Sequence, residues 1–365
     1  MRPGHRHEHG ADIYGPDGRR RKLLDFSSTV ASQAPPAGWL VQAHRSLGLL
    51  SAYPQPRAEG LAAGIEQRLG LPEGSVLIGN GSSECLEWLA RAAAGAKVLL
   101  EGPFFGEYLP LLQSAGAQST GVSAAIQPAR AALLDVLGQK AWKGNWAWTA
   151  DPANPSGLSL EEEALALLVE TARRRKVRLV VDEALAPQHL GQPRMDLARL
   201  AASRQGLFLV RSLSKGLGLP GLRLGYLVAH PAEIARLMPF TRPWNVNSLA
   251  QGMGLWAFDT ERRLLPARRR ELARRKADLW RRLLTLRDAG LLALPSDTGS
   301  FLLQLPKRGP DARALAAKLD AKGILVRPCA SFGKWGRFTL RLNPRSGPDN
   351  TRLVRALAKL YQAKP

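Results

Sequence analysis

The chain reads as an α/β protein: a large domain built on a mostly parallel sheet with helices on both faces, followed by a smaller α+β domain. Three observations predict this. Between residues 57 and 229, apolar runs of strand length alternate with helical stretches, the succession that builds a parallel sheet with crossover helices. After Pro243 the pattern changes to long helical stretches and then to a tail with its own apolar periodicity. A length of 365 residues also exceeds the size at which a single core stops growing.

Taken in order, the first forty residues are rich in Pro and Gly, end in 34-APPAGW-39 and read as an irregular arm. A helix over 57–69 leads to a strand at 75–79, a helix over 82–94 and the strand 97–101. A helix near 106–115 follows, then a strand-like run at 145–150, a helix over 160–175 and the apolar strand 178–184. Strand-like runs at 207–212 and 223–229 close the series. Beyond Pro243, helical stretches interrupted by Pro266 run to about residue 288. The tail offers strands at 299–305, 323–328 and 337–342, with helices over 311–321 and 348–361. The expected organisation is an arm over 1–45, a large domain over 46–245, connecting helices over 246–288 and a small domain over 289–365.

Composition narrows the partners. No apolar run approaches the ~18 residues that a membrane span needs. The N-terminal stretch 1–15 carries charge and histidine but no apolar core, so it does not serve as a secretory signal, and the cytoplasm is the expected location. Cys85 and Cys329 have neither CxxC spacing nor the company a disulfide framework requires, which points to reduced packing thiols; no metal-ligand set is read. The formal charge of +22 raises the possibility of nucleic acid. Its distribution argues against it: the basic residues spread through 19-RRRK-22, 173-RRRK-176 and the helical stretch 261–290, where charge runs are solvated faces. A DNA-binding regulator would also carry a reading domain that an arm of forty residues is too short to hold.

Lys215 lies in 210-VRSLSKGLGLPGLRLGYLVA-229, between two serines and eight positions before Arg223. An amine that forms Schiff bases needs a strand-to-loop junction and a pKa lowered by burial or neighbouring cations. Ser212, Ser214 and Arg223 can grip a phosphate beside it. In 77-LIGNGSSECLEWLAR-91 a strand ends in Gly-Asn-Gly and a helix begins at Ser82 and Ser83, a junction that offers N–H groups and hydroxyls to a second phosphate contact or, equally, plain capping by Ser82. Asp182 ends a buried strand in 180-VVDEALA-186, where a carboxylate either faces a cation such as a protonated pyridine nitrogen or caps the next turn. Asn154, between Pro152 and Pro155, is a rigid amide that can hydrogen-bond a cofactor ring hydroxyl or a substrate carboxylate, and Tyr108, just past the strand 97–101, can stack on a flat ring.

The sequence Gly-Asn-Gly-Ser, Tyr108, 154-NPSG-157, 182-DEA-184, SLSK and the GLRLGY run occur in the order and spacing of fold-type-I pyridoxal 5'-phosphate (PLP) enzymes of the class I/II aminotransferase group, which includes the histidinol-phosphate aminotransferases. Within that group the chain resembles the L-threonine-O-3-phosphate decarboxylases of cobalamin synthesis through 9-HG-10, 24-LDFSS-28, 243-PWNVNSLAQ-251, 324-ILVRPC-329 and 338-FTLRLNPRS-346. The likeness runs along nearly the whole chain. It implies that Lys215 carries PLP, that Asp182 pairs with the pyridine nitrogen and that Tyr108 stacks on the ring. Ser82, Ser83, Ser212, Ser214 and Arg223 would hold the cofactor phosphate, joined by Tyr53 across a homodimer. Asn154, with Arg341, would bind the substrate carboxylate, and His9, Gly10, Thr29 and Arg327 its phosphate. The implied reaction is decarboxylation of L-threonine O-3-phosphate to (R)-1-amino-2-propanol O-2-phosphate; an aminotransferase, or a decarboxylase of O-phosphoserine, is the alternative.

Two departures bear on that choice. Thr29, in 27-SSTVAS-32, replaces an asparagine of the decarboxylases and can alter which phosphorylated amino acid fits. Leu185 follows 182-DEA-184 where relatives carry Tyr or Phe, removing a hydroxyl that some aminotransferases aim at the ring.

Overall fold

The structure, a computed structural model, describes residues 10–30, 33–123, 132–191 and 195–362. The arm contributes a short strand, β1 (Leu24–Asp25), and leads into helices α1 (Trp39–Ser46) and α2 (Glu59–Leu69). The alternating region follows as β2 (Val76–Gly79), α3 (Ser82–Ala92), β3 (Lys97–Gly102), α4 (Tyr108–Ser114), β4 (Gln118–Ser123), α5 (Ala132–Gly138), β5 (Trp146–Ala150) and α6 (Glu162–Arg174). It continues with β6 (Arg178–Asp182), α7 (Leu197–Ser203), β7 (Leu207–Ser212), β8 (Gly225–Val228) and α8 (Pro231–Leu237).

These strands form one seven-stranded sheet in the order β2-β8-β7-β6-β5-β3-β4. Strand β8 runs against the other six, so the carboxyl ends of β2, β3, β5, β6 and β7 share one edge. Both faces are buried, and the side-chain period of two sorts the strands between two cores. Leu99, Ala147, Leu179, Val181, Leu207 and Leu209 point to one face, under α2, α6 and α7. Val98, Leu100, Trp146, Trp148, Val180, Phe208 and Val210 point to the other, under α3, α4 and α8.

Helix α9 (Ser248–Leu284) spans 37 residues, its first turn capped by Asn247, whose side chain accepts the Ala250 N–H at 2.8 Å. Ala250, Met253, Ala257 and Phe258 of α9 pack into the first core. Leu279 and Leu283, six turns later, pack into a third core with Phe26 of the arm and the small sheet. That sheet comprises β9 (Leu292–Ala293), β10 (Phe301–Gln304), β12 (Arg327–Pro328) and β13 (Thr339–Leu342), in the order β12-β13-β10-β9, with α10 (Ala312–Asp320) and α11 (Gly347–Tyr361).

Two expectations change. The helix is continuous through Pro266, because its packing at both ends outweighs the one hydrogen bond the proline removes from the Arg262 carbonyl four residues back. The expected strand 323–328 divides at Val326. Its first part, β11 (Ile324–Leu325), pairs in parallel with β1, while β12 pairs antiparallel with β13. The arm is thereby held by strand pairing: Leu24 N–H donates to the Gly323 carbonyl and Phe26 N–H to that of Leu325. No helix among the described residues is long and apolar enough to cross a membrane.

A proline inside a helix costs about 3 kcal/mol relative to alanine, partly offset through the unfolded state. Pro266→Ala is therefore expected to raise the midpoint of thermal unfolding by about 2 °C. A lower midpoint would show that the proline serves the packing of α9.

Candidate functional site

A cavity of about 430 Å³ opens at the shared carboxyl edge of the sheet, roofed by the arm and walled on one side by the small domain. Of the residues predicted from sequence, Gly10, Thr29, Ser82, Ser83, Asn154, Asp182, Ser212, Ser214, Lys215, Arg223, Arg327 and Arg341 all line it. His9 lies outside the described residues.

At its floor Asp182 ends β6 and is buried, with Oδ1 accepting the Ala184 N–H at 2.8 Å and Oδ2 accepting the Tyr108 hydroxyl at 2.8 Å. The turn-capping role and the cavity-facing role therefore coexist. Tyr108 itself does not line the cavity. Its ring is buried in the second core, edge-on to Trp148 and Phe105, because it opens α4 facing the sheet. The expectation that Tyr108 stacks on a bound ring is corrected accordingly: Phe105, three residues earlier, reaches the cavity, as does Phe332. Burial, together with Asp182, raises the Tyr108 pKa well above the ordinary tyrosine range, so its hydroxyl stays protonated as a donor.

Lys215 follows β7 by three residues and points into the cavity. Burial lowers its pKa below the usual lysine value, against the pull of Asp182, and Arg341 and Arg223 lower it further. A larger share of the amine is therefore neutral and nucleophilic near neutral pH than for a free lysine.

The phosphate-sized end of the cavity is made by backbone geometry. Helix α3 starts after Gly81, at φ 81°, and no side chain caps it, so Ser82 is its first residue and not its cap. Glu84 Oε2 accepts the Asn80 N–H at 2.6 Å and the Asn245 amide at 2.7 Å, holding the Gly-Asn-Gly loop in place. A Cβ on Gly81 would lie 2.5 Å from Arg223 Nη2, and one on Gly225 would lie 2.3 Å from the Ser82 nitrogen. These two glycines let Arg223, Ser212 and Ser214 close around the start of α3, where the N–H groups and helix dipole favour an anion.

The opposite end is cationic. Arg341, on β13, is buried and donates to Asn154 Oδ1 and to the Ser27 carbonyl, each at 2.7 Å, while its buried Nε has no hydrogen-bond partner. Burial lowers its pKa to about 10, which leaves it charged at neutral pH. Arg327, on β12, is also buried, donating to the Pro328 carbonyl at 2.6 Å and to Ser331 Oγ at 2.8 Å with its guanidinium 5.1 Å from the Phe332 ring centre. Neither arginine merely decorates an edge strand. Gly10 packs so closely on the arm that a Cβ would lie 2.3 Å from the Ser27 carbonyl. Tyr53 does not line this cavity; it is 82% exposed, its ring 5.0 Å from that of Trp244.

Residues that the sequence reading missed are Ser28, Val30, Phe105, Arg313, Ser331 and Phe332. The pair Phe104-Phe105 carries a sequence cue, since two aromatics precede Tyr108 after the strand. Ser331 and Phe332 sit in a loop, and Arg313 in the first turn of α10, with no local pattern to mark them.

The donor set suits a flat, phosphorylated ring: N–H groups, hydroxyls and a guanidinium at one end, a buried carboxylate at the floor, an amine beside it and an aromatic wall at Phe105.

Comparison with known proteins agrees with this chemistry. The profile of the family described as aminotransferase class I and II matches residues 22–360. A protein of Caldanaerobacter subterraneus subsp. tengcongensis provisionally named threonine-phosphate decarboxylase is 28% identical over 356 residues, covering 98% of this chain and 94% of the relative. Histidinol-phosphate aminotransferase 1 of Burkholderia lata is 33% identical over 322 residues, covering 84% of this chain and 83% of the relative. The crystal structure of histidinol-phosphate aminotransferase from Sinorhizobium meliloti in complex with pyridoxal 5'-phosphate shares the fold, with a TM-score of 0.81 at 20% identity over 94% of this chain and 92% of that one.

Hydrogen bonds to charged groups contribute about 1.5–3 kcal/mol. Tyr108→Phe, which strips one donor from Asp182, is expected to weaken PLP binding roughly tenfold or more in an absorbance titration of the apoprotein. Unchanged affinity would mean that Asp182 does not depend on Tyr108.

Proposed function

We propose that this chain, which belongs to the aminotransferase class I and II family and is a PLP-dependent enzyme, decarboxylates L-threonine O-3-phosphate to (R)-1-amino-2-propanol O-2-phosphate, a step of cobalamin synthesis. The observation that carries the reading is the pair of buried guanidiniums, Arg327 and Arg341, on two neighbouring strands of one cavity, in addition to the phosphate cradle at the other end. Two guanidinium forks lining one cavity suit a ligand that carries two separate anionic groups. A substrate with a carboxylate and a separate phosphate meets both.

When bound, PLP supplies an electron sink for the pair of electrons left at Cα. The chain's own residues do the rest. Ser82, Ser83, Ser212, Ser214 and Arg223 would hold the cofactor phosphate, Asp182 would keep a proton on the pyridine nitrogen, and Phe105 would cover the ring. Arg341 and Asn154 would fix the substrate carboxylate, while Arg327 with Gly10 and Thr29 would take its phosphate; His9 belongs to the same proposed set. In decarboxylation the bond from Cα to the carboxylate breaks, CO2 leaves without that electron pair, and a proton takes its place on Cα. Lys215, poised as a neutral amine beside the cavity, is the group able to shuttle that proton. Leu185 lines the cavity with no hydroxyl to offer.

The reading includes a cytoplasmic homodimer without nucleic acid or membrane as partner. In support of the dimer, Leu40, Val41, Leu49, Leu50 and Tyr53 are exposed around α1 and the turn after it, an apolar face on which a second copy can bring Tyr53 to a cradle. A second reading, aminotransferase on a phosphorylated amine, is favoured by the likeness to a histidinol-phosphate aminotransferase.

Incubation of the PLP-loaded enzyme with O-phospho-L-threonine is expected to release CO2 and form an aminopropanol phosphate, with slower release from O-phosphoserine. Absence of CO2 together with 2-oxoglutarate-dependent loss of the amino group would overturn the decarboxylase in favour of the aminotransferase.

A further inference from the structure

Behind the cavity, α9 turns inward a stripe that is mostly charged where an amphipathic helix would be apolar: Glu261, Arg268 and Arg269 are partly buried and lie at helical spacing with Leu265 between them. Arg268 Nη1 donates to the carbonyl of Gly216, the residue after Lys215, at 3.2 Å, and Nη2 donates to the Ala34 carbonyl of the arm at 2.8 Å. The Arg268 carbonyl in turn accepts the Gln33 amide at 3.0 Å. Arg269 Nη2 donates to the Ala186 carbonyl at 2.8 Å, in the loop that carries Leu185. Gln188 of that loop donates to the Thr29 carbonyl of the arm. The lysine loop, the loop after β6 and the arm are thus tied into one ring that passes through two adjacent residues of α9.

We propose that Arg268 is a positioning residue that locks the Lys215 loop to the arm, so that the arm's placement over the cavity and the lysine's placement within it are set together. The inference rests on Lys215 being the lysine that carries PLP. Gly216 shows how tightly the loop is held: a Cβ there would lie 2.2 Å from Glu261 Oε2 and 2.9 Å from Pro187 Cβ. Glu261, whose carboxyl burial pushes up to about 7, faces three arginines here. Arg268 and Arg269 flank it on its own helix, and Arg211 faces it from β7 with Glu183 and Tyr226 beside. A lysine at 268 keeps the charge, but its single ammonium cannot span the Gly216 and Ala34 carbonyls as a guanidinium fork does.

The test uses the PLP-loaded Arg268→Lys protein without substrate. Loosening the loop admits water around the Lys215 nitrogen, whether free or bonded to the cofactor, and relieves the burial that disfavours its protonated form. The pH midpoint of the absorbance change of the lysine-bound cofactor is therefore expected to rise by about half a unit or more. Backbone hydrogen exchange is expected to speed up in both residues 212–218 and the arm residues 24–30, 33 and 34. Arg270→Lys, exposed on the same helix, should move neither. If Arg268→Lys does not fold, Gln33→Ala, which removes one of the two bonds between the arm and Arg268 and leaves both guanidinium bonds, is expected to give the same two changes at smaller size. An unmoved midpoint, or faster exchange in one segment without the other, overturns the proposal. Borohydride trapping on the unaltered protein checks the Lys215 premise separately.

Discussion

A carboxylate buried at the end of a central strand has few stable arrangements, and Asp182 occupies one of them. Two of its hydrogen-bonding directions are taken inside the protein, by the Ala184 N–H and the Tyr108 hydroxyl. Both come from neighbouring elements of the same sheet edge, which fixes the carboxylate against rotation and presents it to the cavity floor. Tyr108 serves this end because it is buried among Phe105 and Trp148, which hold its ring with the hydroxyl at the carboxylate. The stacked wall, the carboxylate and the helix α4 are consequences of one packing arrangement. Changing the aromatic packing would change the acid at the floor.

Positive charge organises the remaining walls. Lys215, Arg223, Arg327 and Arg341 share one cavity, and each depends on a different device to be there. Arg223 relies on a missing side chain at Gly81, Arg327 on Ser331 and the face of Phe332, Arg341 on Asn154 and the Ser27 carbonyl. Their mutual repulsion helps to lower Lys215 and Arg341. Anionic ligands relieve that repulsion. The arm completes the enclosure, held by β1 pairing with β11, by Arg341 at Ser27 and by the Asn343 amide donating to the Val30 carbonyl at 2.8 Å.

Much of this is legible in the amino-acid sequence. Strands with a wholly apolar interior, such as Leu179, Val180 and Val181 of β6, announce a sheet covered on both faces, and glycines and serines after such strands mark the ligand edge. The illegible parts have physical reasons. Strand β4, 118-QSTGVS-123, lies at the sheet edge and carries no apolar alternation. The break at Val326 comes from a contact with the arm some three hundred residues away in sequence. Pro266 reads as an interruption locally, whereas tertiary packing at both ends of α9 overrides it. For Tyr108, residue type pointed to the right neighbourhood, but only the start of α4 decides that it faces the core while Phe105 faces the cavity. Arg268 belongs to a charge run that reads as a solvated face, and its inward orientation depends on where the arm and the lysine loop meet the helix.

The central claim is that the sheet edge holding Asp182 and Lys215 is the PLP site. Borohydride reduction of the purified, PLP-loaded protein followed by peptide mapping tests it most directly. A pyridoxyl group fixed on Lys215, lost in Lys215→Ala, is the predicted result. Reduction onto any other lysine, or an unchanged cofactor band in Lys215→Ala, would contradict it.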